Sequence, residues 1–129
     1  MLVKLLCVAV GGGLGAICRF LLGGWVQSLY SGRFPLGIFL VNILGCLLIG
    51  IAYSLLIERS LVSSKEIQLA VITGFLGGFT TFSTYGLDIF QLLRSAHYVQ
   101  AVLYAGGSMI AGLLALCAGY YIARIGQMN

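Results

Sequence analysis

Charge is what this sequence has least of. Its 129 residues include seven Lys and Arg and three Asp and Glu, 8% in all. A soluble domain carries about 25% charged residues. Ten charges cannot solvate the surface of a globule this size, which excludes a soluble enzyme, a nucleic-acid-binding domain and a disordered chain. Proline occurs once, at Pro35, so neither a Pro-rich linker nor a collagen-like repeat is present. His97 is the sole histidine. No acid falls in the first, second or fourth apolar run, and Asp88 stands near the end of the third. A proton carrier built on a membrane-embedded carboxylate is therefore disfavoured. No Ser/His/Asp set, metal-ligand cluster or phosphate-binding glycine loop occurs. Cys7, Cys18, Cys46 and Cys117 stand singly in apolar sequence and read as small buried hydrophobes.

What the sequence has is apolar length. Hydrophobic residues make up 60% and glycine 19 of 129, about twice the usual ~7%. Four apolar runs cover about 2–29, 36–57, 67–93 and 98–125, each longer than the ~20 residues that cross a bilayer core. Trp25, Tyr30, Tyr98, Tyr120 and Tyr121 fall near run ends, the place of interfacial aromatics. The composition predicts an all-α membrane protein whose residues 1–129 form a single domain of four transmembrane helices. The first run is read as a membrane helix rather than a cleaved signal. With four spans, Lys4, Arg59, Lys65 and Arg124 share one side, and Arg33 and Arg94 the other. Four against two is a weak orientation signal. It leaves two possibilities, one fixed orientation or insertion both ways, and the second permits an antiparallel dimer.

The third run carries most of the chemistry. Gly74, Gly77, Gly78 and Gly86 alternate with hydroxyls at Thr73, Thr80, Thr81, Ser83 and Thr84. Neither group favours a continuous helix. A break here would free carbonyls for a cation and N–H groups for an anion; a small-residue packing helix is the alternative. Phe75, Phe79 and Phe82 would share one side if the helix is continuous, and aromatic ring edges are electropositive. Arg19 lies deep in the first run, on a face with Gly12 and Gly15. A water-filled vestibule, a carbonyl cluster, an anion or snorkelling to the interface would each accommodate it. Asn42, on a face with Gly45, Cys46 and Ile49, either donates to an anion or ties two helices. Gly107, Ala111, Ala115 and Gly119 form a small-residue stripe for close helix contact, with Tyr104 and Ser108 beside it as a polar track or as interhelical hydrogen-bonding groups.

GGGLGAICRF (11–20), VNILGC (41–46) and GFLGGFTTFSTYG (74–86) together resemble the CrcB/Fluc family of fluoride channels, and the likeness covers essentially the whole chain. The resemblance implies a broken third helix in an antiparallel, dual-topology homodimer with two fluoride pores, in a bacterial inner membrane. It implies passive fluoride export that protects the cell. It places Asn42, Phe82, Ser83, Tyr85, Tyr104 and Ser108 along the pore and Arg19 at an aqueous vestibule. It also implies a structural sodium ion, Na+, held by backbone carbonyls of Gly77 and Thr80 taken twice. Tyr85 departs from the family's phenylalanine. The expected partners are fluoride, a second copy and the lipid bilayer, with no nucleic acid, and no enzymatic activity is expected. Two other classes compete. A small four-span multidrug exporter would need an embedded Glu in the first span, which is absent. A non-transporting assembly protein would explain the small-residue stripes but not Arg19, Asn42 and the third run together.

Overall fold

A computed structural model describes residues 1–126. Four helices occupy the four apolar runs, and each is long and apolar enough to cross a membrane. α1 is Leu2–Ser28 and α2 is Leu36–Glu58, whose last turn, Tyr53–Glu58, is π-wound. The third span, Lys65–Arg94, is interrupted. Its first half, α3 (65–79), is α-helical at Lys65–Gln68, π-wound at Leu69–Leu76 and α-helical again at Gly77–Phe79. Its second half, α4, is Phe82–Arg94. α5 is Tyr98–Ile125. At ~1.5 Å per residue, the 27 residues of α1 extend about 40 Å, more than the ~30 Å of a hydrocarbon core.

The connections are short and alternate between two ends. At one end, Arg33 in the first loop contacts His97 in the third. At the other, the Arg59 guanidinium donates to the Arg124 carbonyl at 2.9 Å. The three-residue link between α4 and α5 holds Ala96 in the left-handed region (φ 58), with His97 N–H donating to Leu92 C=O at 2.8 Å. This wraps the end of α4 as helix C-termini commonly do.

Small residues set the packing. A Cβ on Gly11 would collide with the Ala70 carbonyl, and one on Gly15 with the Phe75 carbonyl. α1 and α3 are thus in backbone contact. α2 and α5 meet the same way, Gly50 against the Leu116 carbonyl and Gly119 against the Leu47 carbonyl. Lipid tails are as apolar as Leu, so this close approach replaces hydrophobic burial as the source of helix association. The stripe on α5 differs in detail from the expected one: Gly112, beside the Cys46 sulfur, is buried at its centre, while Gly107 and Ala111 flank it. The outer faces stay apolar and exposed, as at Leu103, Ile110 and Leu113. One compact nest forms toward the Arg33–His97 end, where Tyr104, Leu92 and Ala101 are buried against Phe34, Ile38, Phe39, Tyr85 and Ile89.

Candidate functional site

The interruption of the third span is built from three side chains. Thr80 and Thr81 are both extended, at φ −86, ψ 157 and φ −148, ψ 121. Thr80 closes α3: its N–H and hydroxyl both donate to Leu76 C=O, at 3.1 and 3.0 Å. Thr81 opens α4 as its N-cap, with Oγ1 accepting from Thr84 N–H at 3.2 Å. Asn42 on α2 grips the point between them. Its Oδ1 accepts from Thr81 N–H at 2.9 Å and its Nδ2 donates to Thr81 C=O at 3.2 Å. In an unbroken helix Thr81 N–H would donate to Gly77 C=O, so the clamp also takes away the helical donor of Gly77. A side chain at position 45 would collide with the Thr80 methyl, so Gly45 lets the break rest on α2. Of the two readings of Asn42, the helix tie is realised, with one amide hydrogen left over.

A cleft of ≈ 370 Å³ opens beside the break, and it brings together Asn42, Phe82, Tyr85 and Ser108 with Thr80 and Thr81. The Ser108 hydroxyl is buried with no hydrogen-bond partner among the described residues. The Ser54 hydroxyl is in the same state, but Ser108 is the one that lines the cleft, where a water or an ion can reach it. Phe82 is 80% exposed and lies 5.6 Å, ring centre to ring centre, from Tyr85. The hydroxyl that distinguishes Tyr85 donates to Ala105 C=O on α5 at 2.9 Å. It is thus tied to α5 and holds the ring against Tyr104, at 5.3 Å.

Other expected residues stand elsewhere. Tyr104 is wholly buried outside the cleft, and its hydroxyl donates to Asp88 Oδ2 at 3.0 Å. Ser83 is exposed and bonds to the Thr81 hydroxyl at 3.3 Å. The shared side of Phe75, Phe79 and Phe82 does not survive the break. Phe75 and Phe79 stack at 6.0 Å with Phe79 buried, while Phe82 begins the next helix and is exposed. Arg19 lines a separate cavity of ≈ 550 Å³ with Gln27, Arg33, Thr84 and Asp88. Asp88 of the third span lines the same cavity, its carboxylate accepting from Tyr104. Gly77 is exposed on the outer side of α3. Reading the residues singly misses Thr81 as the cap and clamp point: Thr is a favoured N-cap residue, but position 84 is Thr rather than the Glu or Gln that would complete a capping box. The face that Asn42 shares with Gly45, Cys46 and Ile49 does line the cleft, whereas Met109 on α5 is missed, because nothing in that apolar run marks which side becomes a cleft.

Comparison with known proteins identifies the family. Residues 6–120 match the family model described as CrcB-like protein, Camphor Resistance (CrcB). The chain is 45% identical over 118 residues to the fluoride-specific ion channel FluC of Stutzerimonas stutzeri, covering 92% of this chain and 94% of that one. It is 40% identical over 121 residues to FluC of Chloroflexus aurantiacus, covering 94% and 95%. It is 41% identical over 121 residues to FluC of Helicobacter pylori, covering 92% of each. These relatives are channels rather than enzymes, and four apolar helices make this chain a multi-pass membrane protein. With a match that spans all four helices and includes the break, this chain belongs to the CrcB-like family.

Proposed function

We propose that the chain forms a fluoride-selective channel that exports fluoride passively down its electrochemical gradient. The observation that carries the reading is the unpartnered Ser108 hydroxyl in the cleft at the helix break, beside Asn42, Phe82 and Tyr85. Fluoride is small and strongly hydrated, so donors must replace its water as it enters. Ser108 Oγ–H and the second Asn42 amide hydrogen are neutral donors; the Phe82 and Tyr85 ring edges are weakly electropositive. A row of such modest contacts lets an ion in without trapping it. Ser83 extends this track beyond the cleft, with Arg19 at the aqueous side; Tyr104, whose hydroxyl is given to Asp88, backs the track by packing against Tyr85.

We read the working unit as an antiparallel homodimer in a bacterial inner membrane, with two pores. Phe82, exposed on a single chain, supports a partner at this face. The break also suits the sodium expected from the family. Gly77 C=O has lost its helical donor and extended Thr80 takes its own carbonyl out of the ladder. These are hard oxygen donors of the kind alkali cations accept, and two chains would supply four. The ion would neutralise carbonyl dipoles that the break leaves bare in lipid.

The test is efflux from fluoride-loaded liposomes, followed with a fluoride electrode, with chloride-loaded vesicles as control. Fast, valinomycin-dependent fluoride efflux without chloride efflux is expected. Phe82→Ile is expected to abolish it while each chain stays folded, because the ring is exposed on the single chain, and size-exclusion chromatography checks that the dimer is kept. Absence of fluoride flux from folded dimer would overturn the channel reading and leave a scaffold as the better one.

A further inference from the structure

Away from the break, at the end of the molecule opposite the Arg33–His97 contact, three helices leave a cleft of ≈ 280 Å³ between them. Lys4 in the first turn of α1 and Lys65 at the start of α3 line it, together with Ile57, Leu69 and Ile72. Gln68 also lines it, but its amide nitrogen is committed to the carbonyls of Leu56 and Val62, at 2.9 and 3.0 Å. Neither ammonium is in an ion pair among the described residues. Glu66, next to Lys65, accepts from the Ser64 hydroxyl at 3.1 Å and is outside the cleft wall, though its carboxylate lies within electrostatic reach of both lysines and offsets part of their charge. The site therefore pairs two cations with an aliphatic floor, at the level where apolar spans end and headgroups begin.

We infer that this cleft binds an anionic glycerophospholipid, with its phosphate between Lys4 and Lys65 and the head of an acyl chain along Ile57, Leu69 and Ile72. Charge complementarity selects an anionic headgroup over a zwitterionic one, which brings its own cation to oppose the lysines. The aliphatic floor selects a lipid over free phosphate, which has nothing to place there. A Lys near an anionic membrane surface contributes about 1 kcal/mol, roughly fivefold in affinity.

Native mass spectrometry of the detergent-purified protein, titrated with phosphatidylglycerol or phosphatidylcholine, tests this. Phosphatidylglycerol is expected to bind at least about tenfold more tightly than phosphatidylcholine. Lys4→Gln with Lys65→Gln together is expected to erase the preference, and Arg94→Gln, at the far end, to preserve it. Each single lysine variant, expected to lose about fivefold, keeps the proposal testable where the pair does not fold. Equal binding of the two lipids, or a preference untouched by the lysine variants, overturns it. Displacement of the lipid by millimolar inorganic phosphate overturns it too, because the occupant would then be the free anion.

Discussion

Asn42 is one side chain doing what a stretch of helix would otherwise do. Its amide satisfies both backbone groups of Thr81, a residue 9% exposed. Asn42→Ala leaves the Thr81 N–H buried and bare, at a cost of about 1–3 kcal/mol, and removes one donor from a C=O that also accepts the first bond of α4. The expected outcome is a lower melting temperature in detergent together with loss of fluoride efflux. An unchanged melting temperature would mean the break stands without its clamp. Tyr85→Phe is the complementary experiment, because it removes only the hydroxyl that donates to Ala105 C=O. Loss of one such bond costs about 1 kcal/mol, and efflux is expected to stay within about fivefold. A hundredfold fall would show that the hydroxyl itself meets the anion. The difference between Asn42 and Tyr85 is one of accounting for donors. The Tyr85 hydroxyl proton is used within the protein, while Asn42 keeps an amide hydrogen with no partner among the described residues.

Among elements, backbone contact between α1 and α3 is the feature most sensitive to change. Adding a methyl at Gly15 puts a Cβ onto the Phe75 carbonyl, whereas at Gly13 nothing lies within 4 Å. Both positions are in the same helix, so helix propensity favours Ala over Gly at each by up to about 1 kcal/mol. Gly13→Ala is therefore expected to raise or keep the melting temperature, and Gly15→Ala to lower it, since overpacking costs about 1–3 kcal/mol. Equal behaviour of the two would argue against this register of α1 on α3. The interruption between α3 and α4 was legible as composition, since Gly77, Gly78, Thr80 and Thr81 all disfavour a helix interior. Which peptide turns was not legible. That depends on Asn42 arriving from another helix, 39 residues away in sequence.

For the whole molecule, the charges near the helix ends sort by end, while Arg19 and Asp88 lie within spans. Arg33 meets His97 at one end and Arg59 meets Arg124 at the other, as the four-to-two count assumed. Sorting by end does not orient the molecule in a membrane. On a background with the four native cysteines replaced, Ser63→Cys sits in the exposed second loop. An impermeant maleimide is expected to label about half of the chains in intact cells and the rest after permeabilisation. Labelling from one side alone would sink dual topology and the antiparallel dimer with it.

The sequence by itself determined that the chain lives in a bilayer as four helices, because apolar length and scarce charge are sums over residues and need no partner to be counted. The motifs at 11–20, 41–46 and 74–86 likewise carried the family. Only the tertiary structure decided which polar groups remain unspent. Tyr104 is taken by Asp88, Tyr85 by Ala105 and Thr81 by Asn42, while Ser108 and Ser54 have no hydrogen-bond partner among the described residues. Each of these outcomes joins different helices or tests their packing, and interhelical distances are absent from a linear pattern. The same reason separates Phe82 from Phe79: a periodicity assumes one continuous helix, and the turn at Thr80 and Thr81 ends it.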